Sequence, residues 1–86
     1  MLIDQEKTSL FNVDEFDEEV VRRIITDVRD ALEDRDYDVV SQLVGYLVSA
    51  DPGYISSHLE ARKKITSIDR CTILEVILRE YLKKLD

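Results

Sequence analysis

Two glycines and a single proline in 86 residues leave little material for tight turns. That scarcity excludes a turn-rich β architecture and favours helices joined by short connections. One cysteine, Cys71, cannot close an internal disulfide, so nothing points to an oxidising compartment. There is one histidine, His58, and no tryptophan. No metal-ligand spacing, no glycine-rich phosphate loop and no nucleophile–base pair occurs, so neither catalysis, nor a metal, nor a cofactor is expected. His58 lies in a polar stretch and reads as a surface side chain. Cys71, next to Arg70, reads as a small packed side chain. No apolar run approaches the ~18–20 residues of a membrane span. The opening Met1-Leu2-Ile3-Asp4-Gln5-Glu6 does not resemble a signal peptide. These absences lead to the expectation of a soluble, cytoplasmic, non-enzymatic protein with no membrane partner.

What is abundant is charge, 36% of residues, with a net charge of −7 that is unevenly placed. Residues 1–38 hold 13 acidic and 5 basic side chains, a balance of −8, and residues 39–86 hold 6 and 7, a balance of +1. A nucleic-acid partner is therefore not expected. The asymmetry suits an acidic N-terminal half facing a basic surface, or simply a solvated acidic helix. Apolar content of 44% suffices for one small core, although a chain this short buries only about 60–65% of its unfolded surface.

The most apolar stretch is Tyr37 to Tyr54, YDVVSQLVGYLVSADPGY. Asp38 can cap a helix start, and Asp51-Pro52 ends one segment and opens another. Between them Val39, Val40, Leu43, Val44, Tyr46, Leu47 and Val48 point in nearly every direction around a helical wheel. Such a helix is expected to be central, wrapped by other helices or by a partner chain. Gly45 inside it costs about 1 kcal/mol relative to alanine, which suggests close approach of another backbone, even across a dimer axis.

The remaining elements follow from periodicity and caps. Residues 1–13 have no sustained period and read as a flexible tail, with Leu10 and Phe11 able to dock on the body. Residues 14–86 read as one helical domain. Asp14 caps a first helix running to about Asp34, with Phe16, Val20, Val21, Ile24, Ile25, Val28, Ala31 and Leu32 on its apolar face. Glu18–Arg22 and Glu19–Arg23 have i,i+4 spacing, and Asp36 suits a left-handed terminator. Ser56 or Ser57 can cap a short basic helix over about 57–65. Thr66 to Asp69 has capping-box spacing and opens a last helix reaching about Lys84, with Ile68, Cys71, Ile73, Leu74, Ile77, Leu78, Tyr81, Leu82 and Leu85 forming a wide apolar face. The fold expected is all-α: a compact bundle of four to five helices behind a flexible tail.

Two features suit regulation. Thr8 is a hydroxyl in the tail, and phosphorylation there would add about −1.5 to −2 charges and three acceptor oxygens. His58, Arg62, Lys63, Lys64 and Arg70 form a basic cluster able to meet a phosphate or an acidic partner.

The stretch YDVVSQLVGYLVSADPGYI, with Ala61-Arg62 and the Asp69-Arg70 / Ile73-Leu74 / Tyr81-Leu82 helix, resembles the IreB/ReoM family of small bacterial regulatory phosphoproteins. The match lies in Tyr37, Gln42, Leu43, Val44, Gly45, Tyr46, Asp51, Pro52 and Tyr54, and it extends over about residues 8–84. The resemblance implies a compact helical homodimer without enzymatic activity. It also implies a cytoplasmic target of a membrane-anchored PASTA-domain Ser/Thr kinase and its partner phosphatase. Such a protein regulates peptidoglycan precursor synthesis through turnover, by a Clp protease or its adaptor, of the enzyme that commits UDP-N-acetylglucosamine to the cell wall. On this resemblance Thr8 is the phosphoacceptor, and Arg62 and Arg70, with Lys63 and Lys64, form the partner-binding surface. Val44, Gly45, Tyr46 and Tyr54 are the expected core or dimer-packing positions. Asp36, Asp38-Val39, Ser56-Ser57, Thr66-Ser67 and Cys71-Thr72 depart from the family pattern and thin its basic surface. Two other classes of function compete with this reading. One is a helical interaction module or complex subunit without a phosphoswitch. The other is a small enzyme or metal binder using Glu15, Asp17, Glu18 and Glu19, although a helix start explains those carboxylates without metal.

Overall fold

The computed structural model describes residues 15–85, with side chains from Asp17 onward. The expectations for the 1–13 tail, for Thr8, for the Asp14 cap and for the Phe16 side chain lie outside the described residues. Among the described residues four α-helices occur: α1 (Glu15–Glu33), α2 (Val39–Ser49), α3 (Ala61–Ile65) and α4 (Arg70–Lys83). Two 3₁₀ turns, Pro52–Tyr54 and His58–Glu60, lie between α2 and α3. No strand occurs among the described residues, as the shortage of glycine and proline implied.

The organising element is α1, not α2. Its stripe of Val21, Val28, Ala31 and Leu32 is buried, because these residues recur at helical spacing while Arg22, Arg23, Arg29, Asp30 and Glu33 occupy the opposite face. Around Val28, Ala31 and Leu32 gather Tyr46 of α2, Ile55 of the connecting loop, Ala61 and Ile65 of α3, and Ile73 of α4. A second contact joins Val21 to Val76 of α4. Ion pairs from Arg79 to Glu18 (3.5 Å) and from Arg22 to Glu80 (3.2 Å) lie along the same α1–α4 seam. The expected i,i+4 pairs are not formed: Arg22 bonds Glu19, three residues back, at 3.4 Å, and Glu18 takes Arg79.

The ends of α1 and α2 obey the chain-stop chemistry. Asp36 adopts φ 59°, and the Tyr37 and Asp36 amides donate to Leu32 O and Glu33 O, a Schellman close without glycine. Asp38 then accepts from Ser41 N at 3.0 Å and starts α2. Ala50 ends α2 in the left-handed region (φ 66°), its amide donating to Tyr46 O. Asp51 accepts from Gly53 N at 2.9 Å, with Pro52 at the first position of the 3₁₀ turn.

The expected central placement of α2 is corrected. Of its residues only Tyr46 is buried; Val40, Val44 and Val48, at i, i+4 and i+8, face outward. A short helix has only one side for α1, and a wheel that is apolar all round leaves the other side bare. The helix expected over 57–65 is also broken. Leu59 (φ 50°) and Glu60 (φ 66°) are left-handed in succession, so α3 begins only at Ala61. The capping box is absent as well. Thr66 Oγ1 donates back to Arg62 O and Lys63 O, closing α3, while Asp69 flanks α4 without a side-chain cap.

Candidate functional site

The loop from Asp51 to Glu60 is tied down from three directions. Ile55 is fully buried against the α1 core. Gln42 of α2 reaches across and accepts from Ser56 N at 3.0 Å. Arg62 of α3 donates its backbone amide to Ser56 O (3.1 Å) and its Nε to Ile55 O (2.9 Å). His58, far from being a free surface side chain, is mostly buried and pairs through Nε2 with Asp34 Oδ2 at 2.7 Å, which pins the loop to the end of α1. Ser56 Oγ accepts from His58 N at 3.0 Å, so Ser56 rather than Ser57 supplies the local cap.

Arg70 has a comparable job. Its Nη1 donates to Leu47 O at 2.7 Å in a partly buried setting. Leu47 O is one of the carbonyls that the end of α2 leaves without a helical partner. Arg70 therefore locks α4 to the C-terminus of α2. Both arginines are bonded to neutral carbonyls, so neither charge is compensated by a carboxylate among the described residues.

The basic cluster is consequently divided. Arg62 and Lys63 line an open cleft of about 390 Å³ together with Pro52, Ser57, Glu60 and Thr66. Lys63 is loosely paired with Glu60 at 3.9 Å. Lys64 points elsewhere, to Asp27 of α1 at 3.6 Å, and Arg70 is committed to α2. Cys71 is a half-buried free thiol. Among the described residues no three His, Cys, Asp or Glu side chains are grouped to hold a metal ion. No described helix is long and apolar enough to cross a membrane.

The packing positions divide too. Tyr46 is buried, while Val44 and Tyr54 are about half exposed. Gly45 does mark a close approach, but what approaches is the Tyr54 ring of the same chain. A Cβ at position 45 would stand 2.4 Å from Tyr54 Cδ1. The wide apolar face expected on the last helix is left largely bare: Leu74, Ile77, Leu78, Tyr81 and Leu82 of α4, and Leu85 just past its end, are all exposed. That face is wider than one neighbouring helix can cover. A groove of about 320 Å³ between α1 and α4, walled by Val21, Ile25, Val76 and Tyr81, adjoins it.

Comparison with known proteins finds both a family and individual relatives. A family model described as "IreB regulatory phosphoprotein" matches residues 6–83. A protein of Acetivibrio thermocellus named as a UPF0297 protein is 40% identical over 78 residues, which span 91% of this chain and 87% of that protein.

Proposed function

The chain belongs to the IreB regulatory phosphoprotein family, and on that premise we propose that it is a non-enzymatic cytoplasmic regulator switched by phosphorylation of Thr8. The phosphate is placed by a PASTA-type Ser/Thr kinase and removed by its partner phosphatase. The regulated step is peptidoglycan precursor synthesis, through turnover of its committing enzyme by a Clp protease or an adaptor of that protease. The observation that carries this reading is the family match itself, which runs from residue 6 to residue 83 and so includes Thr8.

The surface read by partners is the α3 side of the molecule, where Arg62 and Lys63 stand open; Lys64 and Arg70 hold the body that presents it. A homodimer completes the reading. Five exposed apolar side chains on α4, continued by Leu85 just past its end, are more than a monomeric surface of this size usually leaves in one stripe, and a second copy of α4 would cover them. Uncharged α2, with Val40, Val44 and Val48 outward, is the other surface fit for packing against a partner.

The test is the lifetime of the committing enzyme in cells that carry the wild-type chain, Thr8→Ala, Thr8→Glu or none. The proposal expects the two variants to shift that lifetime in opposite directions. Equal lifetimes in all four strains would remove both the switch and the Clp connection.

A further inference from the structure

The cleft beside α3 has more chemistry than a partner surface requires. Arg62 is anchored through Nε to Ile55 O, a carbonyl on a fully buried residue. That bond fixes the plane of the guanidinium and leaves both Nη atoms without a partner among the described residues. A guanidinium held in this way presents its two-pronged edge ready-made for paired oxygens, at little further cost in side-chain freedom. Lys63 stands next to it with its side chain 86% exposed, and its contact with Glu60, at 3.9 Å between two solvated groups, is weak. The Ser57 hydroxyl on the same wall has no hydrogen bond among the described residues and is available as a donor. The Glu60 wall is held by two successive left-handed residues, a conformation costing roughly 1–2 kcal/mol for each non-glycine residue, and such strain is commonly stored at binding sites.

From this arrangement we propose that the cleft of Arg62, Lys63 and Ser57 binds the phosphate of a phosphothreonine peptide, with Glu60 occupying Lys63 until the phosphate displaces it. The peptide is the segment around Thr8 of a second copy of this chain; only that choice of source rests on the Thr8 reading above. Reach argues for a second copy. Thr8 is seven residues before Glu15, which spans at most about 25 Å when fully extended. The cleft lies beside the level of Asp27, which Lys64 contacts, 12 residues or about 18 Å along α1 from Glu15. Ala61 and Ile65 face the α1 core and are buried, so Arg62 and Lys63 open on the far side of α3, about one further helix diameter away. Followed over the surface, along α1 and then across α3, that route is about 28–30 Å, longer than the segment can span. Tyr54, in the same turn as Pro52, and Leu59, next to Glu60, are exposed apolar side chains that Leu10 and Phe11 of the bound peptide would meet.

The experiment titrates the full chain carrying Thr8→Ala with three probes: a synthetic peptide of residues 4–13 phosphorylated at Thr8, the same peptide unmodified, and inorganic phosphate. Affinity is read by calorimetry and location by amide chemical shifts. The expected result is binding of the phosphopeptide alone, with shifts at Ser57, Arg62, Lys63 and Thr66. Lys63→Gln should weaken it about tenfold, the loss of one charge-assisted hydrogen bond. Glu60→Gln should strengthen it severalfold, an outcome that a merely structural Glu60 would not give. Because Arg62 also holds the loop, Arg62→Lys is interpreted only beside an unchanged melting curve, and Lys63 and Glu60 carry the test if it unfolds. Equal binding of both peptides, inorganic phosphate binding as tightly as the phosphopeptide, or shifts confined to other surfaces would each overturn the proposal. No kinase enters the experiment. A failure here leaves Thr8 as a kinase target, and a failure of the kinase to modify Thr8 leaves the cleft as a phosphopeptide site for another source.

Discussion

Gly45 sits where a methyl group would collide with the Tyr54 ring, 2.4 Å from Cδ1 and 2.9 Å from Cγ. Two effects oppose each other in Gly45→Ala. Alanine gains about 1 kcal/mol of helix propensity, and overpacking against a ring costs about 1–3 kcal/mol. The ring loses, so Gly45→Ala should destabilise the protein by about 1 kcal/mol in chemical unfolding. In a Tyr54→Ala background the same substitution should instead stabilise it, because only the propensity remains. Arg70 gives a second prediction at this scale. Its charged hydrogen bond to Leu47 O is partly buried, and bonds of this kind contribute about 1.5–3 kcal/mol. Arg70→Gln should lower stability by about 2 kcal/mol in denaturant melts, whereas Lys63→Gln, on a solvated side chain, should leave it within about 0.5 kcal/mol. A basic residue that matters to function through scaffold and one that matters through contact are separated by this pair. The sequence could place arginines at 62 and 70 but could not show that their first bonds are to carbonyls, since that depends on where the ends of α2 and the 51–60 loop arrive in space.

At the scale of elements, the short-range chemistry was legible and the long-range packing was not. Asp38, Asp51 and Asp36 perform the cap and terminator roles their types suggest, because those roles depend on atoms two or three residues away. The Tyr37–Tyr54 motif proves to be largely scaffold: Gln42 holds Ser56 N, Tyr46 fills the core, and Gly45 admits Tyr54. The rank of the helices was not legible. An apolar composition made α2 look central, but a core position is decided by what lies opposite, and the long amphipathic α1 offers more continuous surface. The break at Leu59-Glu60 was invisible for a related reason. Neither residue favours the left-handed region; both are forced there by Ile55 and Arg62 fixing the loop on either side. Ala50 is strained in the same sense at φ 66°. Ala50→Gly should therefore raise stability by up to about 1 kcal/mol, read as a higher denaturation midpoint at unchanged slope.

On the scale of the whole molecule, a small body leaves two apolar stripes bare, on the outer faces of α2 and α4, beside an open basic cleft on α3. The single chain has a mass of 10.0 kDa, too small to bury every apolar residue it has. Sedimentation equilibrium should give twice that mass, and Leu78→Glu with Leu82→Glu on α4 should return the monomer while keeping helical content. A double variant that still sediments as a dimer would move the interface to α2. The all-α class was readable from the lack of glycine and proline, whereas the basic residues were readable only as neighbours in sequence. The division of that cluster, with Lys64 turned to Asp27 and Arg70 to Leu47, is a property of the assembled fold alone.

The proposed switch stands or falls with Thr8 as its phosphoacceptor. Incubating the purified chain with the PASTA-type kinase and ATP, then mapping the product by peptide mass spectrometry, tests that most directly. The account predicts one phosphate per chain, on Thr8, and none on a Thr8→Ala variant. No incorporation by an active kinase, or full incorporation that survives Thr8→Ala, would contradict it.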